Sequence, residues 1–326
     1  MATPDKSRTG ADDLTLRREL LRQGSTDADI RRGLRERTIE RVWRGGYVPA
    51  GADDAVDDVA ARENRYRAMI HTAVSAGGPD RHLSHQSAAT ILDIPLLHKD
   101  ISTVHFTAER TGRASAGLVI HQARIPPADL VAVDSYTLTG IGRTICDVAR
   151  TAPLHEAVCA LDSGQFVARR RGEPLDLGHH VDAMRRQHGI SRLRTAAALS
   201  TDLAESIGES LSRCVIVDDG RLPAPELQSE VVVDDGSVKR CDFGWRDANG
   251  RLLLVGEFDG RFKYHRLSAA SGHRLAEDVI YQEKLREDAI RDRGIIVVRW
   301  TWKELTNPEA FIGRLLRALR RAGIVR

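Results

Sequence analysis

Val238-Lys-Arg-Cys-Asp242-Phe-Gly-Trp245, then Arg246-Asp-Ala-Asn-Gly250, then Leu252-Leu-Leu-Val-Gly-Glu257-Phe-Asp259-Gly-Arg-Phe-Lys263-Tyr264: this stretch decides how the C-terminal part of the chain folds. Two short apolar runs flank Asp247-Ala-Asn-Gly250, a good tight-turn sequence, so an antiparallel hairpin is expected. With the turn centred on Ala248 and Asn249, Arg246 opposes Arg251 and Asp242 opposes Val255. Side chains on one face recur every second residue, which makes Glu257 the diagonal neighbour of Asp242, with Asp259 on the same face. Phe243, Trp245, Phe258 and Phe262 surround these acids. Carboxylates gathered on one face of a buried sheet are costly without a cation between them. Hard oxygen donors so placed suit Mg²⁺ or Mn²⁺, the usual partners of phosphodiester chemistry. Lys263 follows as a group able to polarise water or neutralise a phosphate. The plainer reading, solvated edge charges in weak ion pairs, applies to most acids at strand ends. The apolar flanks favour a site.

Working outward, 326 residues suffice for two or three domains, and 41% hydrophobic with 29% charged residues describe an ordinary globular chain. The longest apolar runs, such as Ile295-Ile-Val-Val298, are far shorter than a membrane span, and residues 1–13 lack the apolar core of a signal peptide. A cytoplasmic protein with no membrane partner is expected. Cys146, Cys159, Cys214 and Cys241 are scattered without a C-x-x-C pair, as befits reduced structural thiols.

The location of charge says more than its sum. Residues 1–50 hold 11 Lys/Arg against 8 Asp/Glu, residues 51–200 hold 17 against 17, and residues 201–326 hold 21 against 21, so the whole excess of +3 lies in the first segment. There, residues 14–23 suit a first helix ended by Gly24, and Thr26 with Asp29 forms a capping-box pattern opening a second helix over 27–35. Ile30 and Leu34 face inward on it, leaving Arg31, Arg32 and Arg35 exposed. Residues 39–48 follow as two strand-like pieces around Gly45-Gly46, carrying Arg41 and Arg44 beside Trp43 and Tyr47. Helix, turn, helix and basic hairpin make a winged helix-turn-helix over residues 1–50, whose second helix would enter a DNA major groove.

A linker is expected at 51–58 and a mixed α/β middle region over 60–171, with helices at 66–74, 86–92, 141–149 and 154–162 and strands at 103–107 and 118–122. His82 and His85 have metal-ligand spacing, but no further close ligand pair joins them, and Ser84 suits a helix cap better. His179-His180 reads as surface. Residues 169–174 read as a basic linker. The last domain, 185–326, has a helix at 203–214 bearing Glu205 and Glu209, a strand at 227–233, the two strands above, a helix at 275–293, a strand at 295–300 and a helix at 310–322. The fold class is therefore mixed α+β (α/β), with helices against a mixed C-terminal sheet of αβββαβ order.

Asp242-Phe-Gly-Trp245, Glu257-Phe-Asp-Gly260, Lys263-Tyr264 and the run from Glu283-Lys-Leu-Arg-Glu-Asp288 through Gly294 to Val298-Arg-Trp-Thr-Trp302 resemble the very-short-patch-repair-like branch of the PD-(D/E)XK nuclease superfamily. The resemblance covers roughly the last 125 residues. It implies a restriction-endonuclease-like core with Mg²⁺ (or Mn²⁺) held by Asp242, Glu257, Asp259 and Glu209, and with Asp242, Glu257 and Lys263 catalytic. The chain departs from the pattern where lysine should follow two residues after Glu257: Asp259 stands there, and Lys263 substitutes from a shifted position. Residues 14–171 resemble the N-terminal region of AbiEi-type antitoxins in Trp43-Arg-Gly-Gly-Tyr-Val48, Leu83-Ser-His85 with Ser87-Ala-Ala89, and Thr144-Ile-Cys-Asp-Val-Ala149. That resemblance implies DNA binding, operon autoregulation and a cognate toxin partner. Two functions follow as expectations: a DNA-targeted, metal-dependent endonuclease, or a DNA-binding regulator whose nuclease fold no longer cleaves.

Overall fold

The computed structural model describes residues 13–50, 59–78, 80–134, 136–260 and 273–326, with backbone alone for 59 and 273–280. The fold is mixed α+β, with three sheets among the described residues. The chain divides into two units. The first comprises the residues up to Thr151 with Leu175–His188, and the second comprises Ala152–Pro174 with Gly189–Arg326.

The first unit opens with β1 (Thr15–Leu16), α1 (Arg17–Arg22), α2 (Asp27–Arg35), β2 (Ile39–Trp43) and β3 (Gly46–Pro49), the strands forming a sheet of order β1-β3-β2. The capping box is present: Asp29 N donates to Thr26 Oγ1 at 3.2 Å and Thr26 N to Asp29 Oδ2 at 2.9 Å, so α2 starts where the sequence says. The first helix does not. Leu16 is extended, buried and paired with Gly46, because burying it in the small sheet outweighs adding a helical turn.

Next come α3 (Val59–Ser75), β4 (His82–Leu83), α4 (His85–Ile91), β5 (Val104–Ala108), β6 (Arg113–Ser115), β7 (Leu118–Gln122), β8 (Leu130–Val133), β9 (Tyr136–Thr139) and α5 (Ile141–Ala149). Their sheet has the order β6-β7-β5-β4-β9-β8, with β5–β7 and β4–β9 parallel.

The chain then enters the second unit as α6 (Leu154–Arg171), returns to the first for α7 (Leu177–Ala183), and re-enters the second at α8 (Ile190–Leu199). The basic segment at 169–174, expected as linker, is the end of α6 up to Gly172, whose φ of +67° stops the helix.

The second unit continues with α9 (Ile207–Asp219), β10 (Glu226–Val232), β11 (Val238–Arg246), β12 (Leu252–Phe258), α10 (His273–Asp292), β13 (Ile296–Trp300), α11 (Trp302–Leu305) and α12 (Pro308–Arg321). The sheet order is β10-β11-β12-β13, antiparallel except for the last pair, which is parallel across the α10 crossover. Its core joins Phe243, Trp245, Leu254, Val298 and Trp300 to Ile216 of α9 and to Phe311, Leu315 and Leu319 of α12. Two glycines permit this packing. A Cβ on Gly256 would lie 2.4 Å from the Trp300 ring, and one on Gly208 1.9 Å from the Phe258 ring. Trp300 Nε1 donates to Ser212 Oγ at 2.7 Å, so its polar edge is satisfied within the core. No helix among the described residues is long and apolar enough to cross a membrane.

Candidate nucleic-acid interface and carboxylate site

In the N-terminal segment Arg31, Arg32 and Arg35 are exposed on α2, and Arg41 and Arg44 on the β2–β3 hairpin. Arg32 is tied to Asp29 at 2.6 Å, whereas Arg31, Arg35, Arg41 and Arg44 make no ion pair among the described residues. The Arg41 guanidinium lies 5.9 Å from the Tyr47 ring centroid. Trp43 and Tyr47 hold the hairpin rather than reaching outward. Tyr47 is buried, and the Trp43 ring packs so closely on Gly117 that a Cβ there would lie 2.5 Å from it. Sequence reasoning missed Arg37, exposed at the turn from α2 into β2 with a φ of +53°, although the run Arg35-Glu36-Arg37 was its signal.

The register of the second hairpin differs from the expected one. Phe243 pairs with Gly256, Gly244 with Val255, and Trp245 with Leu254, but Arg246 pairs with Leu252 across a bulge. Asp247 causes this: its Oδ1 accepts from both Asn249 N and Arg251 N at 2.9 Å, widening the loop. The net displacement is two residues, which preserves the face. Continuing the ladder by one step sets Asp242 directly across from Glu257 instead of Val255. Asp242 Oδ2 accepts from Phe258 N at 2.8 Å.

Glu257 is buried and clamped. Arg286 Nη2 of α10 lies 2.7 Å from Oε1, and Arg299 Nη2 of β13 lies 2.9 Å from Oε2. Glu283 and Glu287 complete the network at 3.3 Å and 2.9 Å from the Arg299 guanidinium. Burial works against both arginine charges, but the surrounding carboxylates, Glu257 with Glu283 and, at Arg299, Glu287, together outweigh it and hold the two pKa values above the ordinary range. Burial, helped by Glu257, pushes the neighbouring Cys241 thiol up to about 12, so it is no nucleophile at neutral pH.

Glu209 serves the start of α9. Its oxygens accept from Ser206 Oγ at 2.7 Å, Glu205 N at 2.9 Å and Gln228 Nε2 at 3.0 Å. Gln228 reaches it from within β10 with a φ of +52°, a strained conformation for a strand residue, stored beside the acids. Asp259 is half-buried, its backbone N donating to Trp300 O at 2.7 Å. Lys263 lies outside the described residues, as does the segment 51–58, expected as a linker.

The described donors do not fit Mg²⁺ in this arrangement. Both Glu257 oxygens face guanidinium groups, and among the described residues no three His, Cys, Asp or Glu side chains converge as a metal site. That includes His82 and His85. The His85 ring instead stacks on His121 at 3.7 Å between centroids, and His105 Nδ1 meets His121 Nε2 at 3.0 Å. Ser84 stands at the N-cap of α4, but its hydroxyl accepts from Thr107 Oγ1 at 2.8 Å rather than capping the helix. His180 pairs with Asp129 at 3.6 Å.

No family model matches the chain. Two relatives, the uncharacterized proteins MT2308 and Rv2248 of Mycobacterium tuberculosis (strains CDC 1551 / Oshkosh and ATCC 25618 / H37Rv), are each 33% identical over 147 residues, 45% of this chain and 51% of theirs. The chain thus spans about half the length of the curated relatives it matches. Among solved structures it is similar to the crystal structure of RV2827C protein from Mycobacterium tuberculosis, with a TM-score of 0.36 and 13% identity over 63% of this chain and 79% of that one.

Proposed function

We propose that this chain is a duplex-DNA-binding regulator of the antitoxin type. On this reading the winged module makes the contact, and the nuclease-like body no longer cleaves. The observation that carries it is the row of exposed arginines on α2 and the β2–β3 hairpin, of which Arg31, Arg35, Arg41 and Arg44 make no ion pair among the described residues, in the segment that holds the chain's whole positive excess. Such a surface attracts phosphates, and α2 has the position of a recognition helix. The clamp of Arg286 and Arg299 on Glu257 supports a structural use of that acid, and the AbiEi-like pattern adds a cognate toxin as partner. The test is fluorescence anisotropy of the full chain on a labelled duplex across a salt series. Arg41→Ala with Arg44→Ala should flatten the plot of log affinity against log salt by about two units. An unchanged slope sinks the reading.

A second reading, a Mg²⁺- or Mn²⁺-dependent DNA endonuclease, is favoured by one observation: Asp242 and Glu257 face each other across adjacent strands of an αβββαβ core. Incubating supercoiled plasmid with protein and either cation tests it. Cleavage lost in Asp242→Asn and Glu257→Gln supports it, and an inert wild type removes it.

A further inference from the structure

The last 25 residues, 302–326, hold six Lys/Arg against two Asp/Glu, although the segment 201–326 is neutral as a whole. The balance hides a local concentration, and α12 gives it a shape. Asn307 caps the helix, its Oδ1 accepting from Ala310 N at 3.3 Å, and Pro308 occupies its first turn. Phe311, Ile312, Leu315, Ala318 and Leu319 bury one face in the Trp300 core, which fixes the rotation of the helix. Arg314, Arg317 and Arg321 stand three and four residues apart on the opposite face, all exposed.

Few acids offset this row. Glu304 lies 3.6 Å from Arg314, and Glu309 is engaged by Arg221 at 3.1 Å. Arg317 and Arg321 make no ion pair among the described residues, and Arg320 beside them donates from Nε to the Arg326 backbone oxygen at 3.0 Å. Arginines in a last helical turn complement the helix dipole, which accounts for Arg320 and Arg321. It does not account for Arg314 and Arg317 farther back. A helix that lies on a membrane needs its apolar face free, and here that face is spent on the core. Three guanidinium groups spread along roughly 10 Å of helix, with no apolar edge between them, match the repeating phosphates of a nucleic-acid backbone.

We infer that the exposed face of α12 is a second contact for the duplex-DNA backbone, separate from the winged module. The inference rests on the duplex-DNA reading above and adds a site to it. Bases are not read here: the row touches phosphates and raises affinity without choosing sequence.

The experiment uses the full chain, a labelled 20-base-pair duplex of arbitrary sequence, and anisotropy from low to high salt. Arg314→Ala, Arg317→Ala and Arg321→Ala together should flatten the salt slope by about two to three units, while the triple Arg→Lys variant keeps the wild-type slope. Thermal melts accompany both, and the Lys variant keeps the comparison valid if the Ala variant unfolds. A wild-type slope in the folded Ala triple overturns the inference, as does a Lys triple as weak as the Ala triple. Co-sedimentation with phosphatidylserine vesicles that the Ala triple loses while keeping full duplex affinity also overturns it. The wing variants read the other site. If they keep the wild-type slope while the α12 triple flattens it, the wing contact falls and this one stands. No duplex binding by wild type at low salt ends both.

Discussion

Two buried carboxylates, one in each unit, are each gripped by two arginines, and they are built in opposite ways. Asp147 draws its partners from its own helix or the next residue after it: Arg143 Nε at 2.7 Å and Arg150 Nε at 3.0 Å, with His85 Nε2 at 4.0 Å. The group carries two guanidinium charges against one carboxylate, and the side chain of Asp147 is only 1% exposed. Glu257 draws its partners from α10 and β13, and its network carries the guanidiniums of Arg286, Arg299 and Arg291, the last 2.5 Å from Glu287 Oε1, against the carboxylates of Glu257, Glu283 and Glu287. The local cluster is sealed with surplus positive charge, as a structural pin is. The long-range cluster is balanced, three guanidinium groups against three carboxylates. The same motif, an acid between two arginines, is thus closed within a helix turn on either side of the acid in one place and assembled from distant elements in the other.

The largest effect should come from Asp147→Asn. It strands two nearly buried guanidiniums, and breaking such a pair costs about 3–5 kcal/mol. Urea unfolding that shows a loss under about 1 kcal/mol would break the view of Asp147 as a pin.

Acid should act on the same unit next. Burial holds His85, His105 and His121 below the ordinary imidazole range, His121 at about 4. The unfolded chain therefore takes up protons from near pH 6.5 while the folded chain does not, so stability falls as pH drops from there toward about 4. Each group contributes at most about 1.4 kcal/mol per pH unit in that window. Asp147 adds nothing to this fall, because its depressed carboxyl pKa makes its contribution fade only at lower pH. Chemical denaturation at pH 7, 6 and 5 checks the slope, and a flat profile across that range refutes it.

Glu257→Gln sharpens the contrast. A structural clamp predicts a loss of about 1–3 kcal/mol, less than at Asp147 because both arginines are partly solvated. A melting temperature that stays level or rises, with Mn²⁺ stabilising wild type alone, would move Glu257 to the metal-site column. The smallest effect is expected at Gln228. Gly relieves the positive φ and forfeits the bond to Glu209, for a net change within about 1 kcal/mol in either direction. A larger loss would mean that the Gln228–Glu209 contact organises the site.

Much of this was legible in the residues. The capping box set α2 to the residue, and alternating apolar positions gave the strands of the C-terminal sheet. The acids were legible too, but their partners were not. Arg286 and Arg299 lie on a later helix and strand, and no local spacing pairs them with Glu257. The hairpin register was lost to one side chain, Asp247, which capped two amides and admitted a bulge. The histidine stack was equally hidden. His105 and His121 meet because β5 and β7 are parallel, a pairing decided by the whole sheet.

The path of the chain has a practical consequence. It leaves the first unit at Thr151, builds α6, and comes back for Leu175–His188 before departing for good. The returning segment is needed: Arg150 donates to the His188 carbonyl at 3.4 Å, and His180 pairs with Asp129. Likewise Arg213 of α9 meets Asp162 of α6 at 2.7 Å. Cutting the gene before residue 185 to isolate the last domain would discard Asp162 and leave that arginine, 13% exposed, without its acid. On the ribosome, the first unit must wait for His188 while part of the second has already emerged. The two units are interleaved like pages of one signature, and neither can be torn out whole by a single cut.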